Sequence, residues 1–225
     1  MTVLVLAPHA DDEVLGVGGT ISKLVSSGES VHVAIVTGLG DKTHPFVTEE
    51  AWETVRAECE RSCKVLGVSR IFFGNLPTVC LDHEPVWKSN RKVHEIIEES
   101  GADQLFLPFP FDLHRDHTTV AYSASVAARP YLSLGKSIAR VCFYETLTET
   151  HLTPPYLDPA FQPNYFVDIS DWIENKIEAL ECYKSQLQTG MLPRSARGVK
   201  ILAQYRGMHI GVAAAESFVI AREIF

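Results

Sequence analysis

Alternation constrains this chain more than any other feature. Five short apolar runs, Val3–Leu6, Val31–Val36, Ile71–Phe73, Gln104–Leu107 and Ile138–Tyr144, take turns with longer amphipathic segments. Runs as continuously apolar as Val31–Val36 suit strands buried on both faces, as in a parallel sheet. Asp12–Ser27 predicts a first helix, with Val14, Leu15, Ile21, Leu24 and Val25 as its apolar residues and Gly28 as its stop. Thr48 is placed to cap a second helix ending at Leu66–Gly67; Ser89–Ser100, closed by Gly101, makes a third, and Asp116–Ala128 a fourth. Loops are expected over Gly38–Pro45 and Pro108–Leu113, with an irregular stretch over Leu76–Asp82. Strand-helix-strand order with right-handed crossovers predicts an α/β fold: a Rossmann-like, mostly parallel sheet sandwiched by helices.

After Thr146 the texture changes. Pro154, Pro155, Pro159 and Pro163 mark an extended segment. An amphipathic helix is expected from Asp171 to Gln188, with Leu180, Tyr183 and Leu187 facing the core, and then a basic loop over Arg194–Lys200. With no polar linker and no internal repeat, residues 1–225 read as a single domain with a C-terminal elaboration.

Bulk properties narrow the function classes. A hydrophobic content of 46% and a charged content of 21% are those of a globular chain rather than a disordered or fibrous one. The net charge of -8 argues against nucleic acid, whose phosphates need a basic face. No apolar run approaches the ~20 residues of a membrane span, and the apolar start lacks a basic leader and a cleavage site. The five cysteines, Cys59, Cys63, Cys80, Cys142 and Cys182, are too scattered for a disulfide framework, so a reducing cytoplasm is the expected compartment. Cys59 and Cys63 have no second ligand pair nearby and read as packed thiols.

Two clusters carry the chemistry. The first, Pro8-His9-Ala10-Asp11-Asp12-Glu13, follows the first strand, where open parallel sheets collect ligands. A histidine and adjacent acids at a strand-to-helix turn are costly unless a cation offsets them; His9 can offer a neutral nitrogen and Asp12 a carboxylate oxygen. The competing reading is a helix cap, in which Asp11 and Asp12 accept helix amides. The second cluster, Asp112-Leu113-His114-Arg115-Asp116-His117, follows the fourth strand. His117 completes a His/Asp/His set with His9 and Asp12 that leaves a position open, the mark of a catalytic rather than structural zinc site. Asp116 or Asp112 is placed to hold His114 in one tautomer and keep it cationic near neutral pH.

PHADDE and HRDH together resemble the LmbE/PIG-L family of zinc N-deacetylases. The helix around Arg56-Ala57-Glu58, the strand ending in Tyr144-Glu145-Thr146, the segment Tyr183-Lys184-Ser185-Gln186 and the closing Ala215-Glu216-Ser217-Phe218 extend the likeness over nearly the whole chain. One departure is Ala10, where the family usually has proline. The resemblance implies one zinc ion, with iron(II) or cobalt(II) as substitutes, held by His9, Asp12 and His117. It implies Asp11 as general base, with His114 stabilising charge and Asp116 supporting it. The implied reaction is hydrolysis of an N-acyl group, N-acetyl above all, on a small-molecule amino sugar, in a homo-oligomer such as a trimer or hexamer. The alternatives are a metal-retaining carbohydrate-binding module without activity and a different metallohydrolase, either another amidase or a two-metal phosphoesterase.

Weaker signals remain. Arg56 and Glu145 are candidate substrate contacts; a solvated helix face and a structural hydrogen bond are the plain readings of each. Arg194 and Arg197 belong to a loop that can fold over the site. His44 is expected at the surface. Gly16-Val17-Gly18-Gly19 lies behind an acidic cluster that repels phosphate, so close helix–sheet packing is its expected role. The loops Gly38–Phe46, Leu76–Lys88 and Pro154–Pro163 are expected to shape substrate choice.

Overall fold

The apolar runs form the strands they predict, because their alternate residues face two different cores. The computed structural model describes residues 1–41 and 43–224; Lys42, in the expected loop Gly38–Pro45, and the terminal Phe225 lie outside them. In β1 (Thr2–Ala7), Val3, Val5 and Ala7 enter one core, and Leu4 and Leu6 the other. The chain continues through α1 (Asp12–Ser26), β2 (Ser30–Gly38), α2 (Glu49–Leu66), β3 (Arg70–Pro77), a 3-10 turn at Leu81–His83, α3 (Val86–Ser100), β4 (Gln104–Pro108), α4 (Arg115–Ala127), the short α5 (Ser133–Ser137) and β5 (Arg140–Tyr144). Strands β1 to β5 are all parallel.

The C-terminal part adds β6 (Tyr165–Asp168), α6 (Ile173–Leu180), α7 (Ala196–Met208) and β7 (Ala215–Glu223). Strand β7 pairs antiparallel with both β5 and β6, giving one seven-stranded sheet in the order β3-β2-β1-β4-β5-β7-β6. The order reverses between β1 and β4, and the crevice beyond their carboxyl ends is where ligands bind in such sheets. Both acidic clusters leave the sheet at that point.

The elaboration departs from expectation in three places. The expected helix to Gln188 ends at Leu180. Beyond it the chain runs in turns, and the Ser185 amide bonds to Glu58 Oε1 at 3.0 Å instead of to its own helix. The expected basic loop over Arg194–Lys200 is mostly helix: Ser195 caps α7 by accepting the Gly198 amide, and Val199, Ala203 and Arg206 turn inward. Finally, β6 and β7 were not anticipated, because β6 has only four residues and β7, AESFVIARE, alternates weakly. Among the described residues no helix is long and apolar enough to cross a membrane. The glycines of α1 fill their expected role: a Cβ on Gly19 would lie 2.6 Å from Ile169, so only glycine lets the helix approach.

Candidate metal and catalytic site

Thr37 fixes the first turn at its base, its hydroxyl donating to the Pro8 carbonyl at 2.7 Å. From there His9 and Asp12 point together: His9 Nδ1 lies 3.3 Å from Asp12 Oδ2. The second turn brings His117, fully buried in the first turn of α4, with Nε2 3.1 Å from the same Asp12 oxygen. That separation is not a hydrogen bond, and His117 Nε2 is a buried nitrogen without a hydrogen-bond partner. Such an orphan is costly in a protein that gains nothing from it.

Each histidine is oriented by a second carboxylate. His9 Nε2 lies 2.9 Å from Asp116 Oδ2, and His117 Nδ1 lies 2.8 Å from Asp112 Oδ2. An ionised carboxylate only accepts, so each of these nitrogens carries a proton. In the neutral rings the lone pairs then sit on His9 Nδ1 and His117 Nε2, the two nitrogens that face Asp12. Asp112 is held by the Thr150 hydroxyl at 2.6 Å, and Asp116 by the amides of Val79 and Leu81 at 2.6 and 3.2 Å. The donor set fits a single divalent ion: two imidazole lone pairs and a carboxylate, each with its outer partner in place.

Electrostatics point the same way. Burial opposes charge on all these groups. Even so, Asp12 and Asp112 hold His117 well above its ordinary value, and hydrogen bonds to Asp116 and Asp12 raise His9 to about 9. The same contacts, chiefly His117, hold the Asp12 carboxyl far below the usual carboxylate range. The carboxylates therefore attract positive charge to this point.

Asp11 behaves differently from its neighbour. Its backbone adopts φ 119°, a conformation that costs a non-glycine residue about 1–3 kcal/mol. Although it stands at the N-cap of α1, its side chain makes no capping bond, so the helix-cap reading fails for this residue. The carboxylate instead lines a cavity of about 360 Å³. Burial, and then the charge of Asp12, push its pKa well above the ordinary range; Arg194, 3.4 Å away, offsets part of that.

His114 and Asp116 correct the expected pairing. Asp116 serves His9, and His114 Nδ1 instead accepts the Asp116 backbone amide at 3.1 Å. With Nδ1 accepting that amide, the ring carries its proton on Nε2, in place of the expected carboxylate-held cation; burial, and then nearby His9, lower the His114 pKa. It lines the same cavity as His9, Asp11 and Asp12.

The two candidate substrate residues lie elsewhere. Arg56 stacks over Phe73 with its guanidinium 4.6 Å from the ring, and pairs with Glu60 at 3.5 Å on the outer face of α2. Glu145 is buried against Arg206, His151 and Ser217, at 2.5 to 2.9 Å. Neither lines the cavity. The residues that do include Trp52, Val55, Thr148, Glu149, Gln186 and Arg194. Of these, Arg194 carried a signal in the sequence as part of the basic segment, and Gln186 as part of the Tyr183-Lys184-Ser185-Gln186 segment. His44 lines a different cavity of about 700 Å³, which contains none of the converging ligands. The larger space is therefore not where this chemistry sits. Cys59 and Cys63 are buried free thiols, as expected.

A sequence profile described as GlcNAc-PI de-N-acetylase, PIG-L, matches residues 4–128, the stretch that contains both clusters. The chain belongs to this family. Among individual PIG-L relatives, a diacetylchitobiose deacetylase of Thermococcus kodakarensis is 29% identical over 99% of this chain and 84% of its own length. An N,N'-diacetylchitobiose deacetylase of Pyrococcus horikoshii, solved with an inhibitor, superimposes with a TM-score of 0.77 at 25% identity, over 98% of this chain and 84% of that one. The fold alone does not select a reaction. A 4-carboxy-2-hydroxymuconate hydratase of Pseudomonas putida reaches the same TM-score at 17% identity, covering 100% of this chain and 97% of its own. Deacetylase membership thus rests on the family match over the motifs, and the seven-stranded α/β sheet is the PIG-L fold.

Proposed function

We propose that residues 1–225 form one metal-dependent deacetylase domain that hydrolyses an N-acyl group, acetyl above all, on an amino sugar or sugar conjugate. One observation carries the reading: His9 Nδ1, Asp12 Oδ2 and His117 Nε2 converge beside an uncapped Asp11 at the wall of an open cavity. The set suits zinc, with iron(II) and cobalt(II) as the other ions it accepts. When bound, such an ion supplies Lewis acidity, polarising an amide carbonyl and lowering the pKa of water toward ~7.

The protein's own groups do the rest. Asp11, free of any helix amide, accepts the proton of the attacking water. The Nε2–H of neutral His114 is a donor for the oxyanion that develops on the acyl carbon. Arg194 offsets the charge of Asp11 and closes that side of the site. The cavity falls within the ~300–1,000 Å³ of small-molecule sites. Its walls are mixed, with Leu15, Val47, Trp52 and Val55 against Thr37, Thr78, Thr148 and Gln186, as an amphipathic sugar ring requires.

The test is acetate release from a panel of N-acetylated sugars, chitobiose and glucosaminyl conjugates included, with metal analysis of the same preparation. We expect about one metal ion per chain, held by His9, Asp12 and His117, with activity that a chelator abolishes and zinc restores. Metal-loaded protein that releases no acetate from any member would sink the proposal.

A further inference from the structure

Asp11 holds an unfavourable backbone conformation, and two buried residues outside the metal set account for it. Glu13 is fully buried, and its Oε2 accepts the Asp11 amide at 3.0 Å. Its other oxygen, Oε1, accepts the Tyr183 hydroxyl at 2.5 Å, and Tyr183 is itself fully buried. In both contacts Glu13 is the acceptor, one oxygen for each donor. With Asp11 at φ 119°, its amide donates to the buried Glu13 side chain, two residues along in the first turn of α1. Glu13 lies beside Cys59 and Cys63, a grouping with metal-ligand spacing. Its two oxygens are already engaged, so its place in the structure is that of a hydrogen-bond hub.

We propose that Glu13 and Tyr183 are positioning residues that lock the Asp11 backbone in its strained turn, so that the Asp11 carboxylate faces the cavity instead of capping α1. The inference rests on the deacetylase reading for the role of Asp11, and on geometry alone for the lock. Without the lock Asp11 relaxes toward an ordinary N-cap, in which its carboxylate accepts the amides of the first turn and leaves the cavity. The lock also explains a feature of the chain's organisation: Tyr183 lies 170 residues from Glu13, in the turns after α6, so the C-terminal elaboration reaches under the first motif.

Tyr183→Phe removes one hydroxyl and keeps the ring. We expect it to lower kcat about 10- to 100-fold, the scale of a misplaced catalytic group, with KM and metal content unchanged. A crystal structure of the variant is expected to show Asp11 at negative φ. Glu13→Gln keeps both contacts, since its amide oxygen accepts the Asp11 amide and its NH2 donates to the Tyr183 oxygen. It should therefore retain most of the activity that Glu13→Ala loses. Folded, metal-loaded Tyr183→Phe with wild-type kcat and unchanged Asp11 geometry would overturn the inference. If that variant does not fold, equal kcat for Glu13→Gln and Glu13→Ala overturns it instead. Should wild type release no acetate at all, the deacetylase reading fails separately, and the Asp11 φ angle in Tyr183→Phe, or in Glu13→Ala, still decides whether the lock exists.

Discussion

The two halves of the sheet bury acids in opposite ways. In the C-terminal half each buried carboxylate has a protein cation of its own: Glu145 takes a bidentate contact from Arg206, and Glu216 takes Lys176 at 2.5 Å as well as the amides of Gly19 and Thr20. At the ends of β1 and β4, Asp11, Asp12, Asp112 and Asp116 are all buried, yet among the described residues the only lysine or arginine paired with any of them is Arg194. Histidines fill the remaining places. Compensated acids tie elements together, whereas acids that only histidines face leave room for an ion from outside. The contrast separates scaffold from site without reference to any relative.

Substitutions should break this contrast in distinct ways. Asp11→Ala carries the largest expected effect, a loss of ~10²–10⁴ in kcat, the span of general-base contributions. It is expected to bind metal normally, because Asp11 is not in the converging set; acetate release and metal analysis of one preparation check both halves. Arg206→Met strands Glu145 in the interior and is expected to cost about 3–5 kcal/mol of stability. Denaturant unfolding measures it, and metal affinity should not move.

The pH dependence sharpens the same point. Burial would raise the Glu145 carboxyl, but the hydrogen bonds from His151 and Arg206 and the guanidinium charge lower it to about 2 from its usual 4.5. A lowered carboxylate contributes stability in full above its unfolded value and loses it as pH falls toward the folded one. Glu145 should therefore supply about 3 kcal/mol that disappears between roughly pH 4.5 and pH 2. Glu145→Gln is expected to flatten unfolding free energy across that window, and an unchanged slope would show that the pair contributes no such linkage. The smallest effect belongs to Asp112→Asn, which weakens the partner of His117 and should reduce metal affinity ~10–100-fold, as loss of an outer-shell partner does. Competition with a calibrated chelator reads it.

Legibility in the sequence followed the same division. The five parallel strands and the two motifs that carry His9, Asp12 and His117 were readable because each rests on local signals: a buried apolar run, and a histidine within three residues of an aspartate at its end. Strand β7 and helix α7 were not, since AESFVIARE alternates weakly and the inward face of α7, Val199, Ala203 and Gly207, includes the charged Arg206. Arg56 and Glu145 were singled out for their place in recognisable motifs. The structure puts one on an outer helix face and the other in a buried ion pair. His151 has no acidic or histidine neighbour at ligand spacing in the sequence, yet it lies 2.9 Å from Glu145.

By itself, the sequence determined the alternation, the point at which the sheet opens, and the three residues able to hold an ion there. Neighbours along the chain set the strands and each of the two motifs, and the pairing of β1 with β4 brings those motifs together. Only the tertiary structure decided which carboxylate serves which histidine, that Asp11 is held off its helix, and that Glu13 and Tyr183 meet. Those choices depend on contacts between residues far apart in the chain. Their partners are picked by packing and charge compensation in the finished core, and no local period or spacing encodes them.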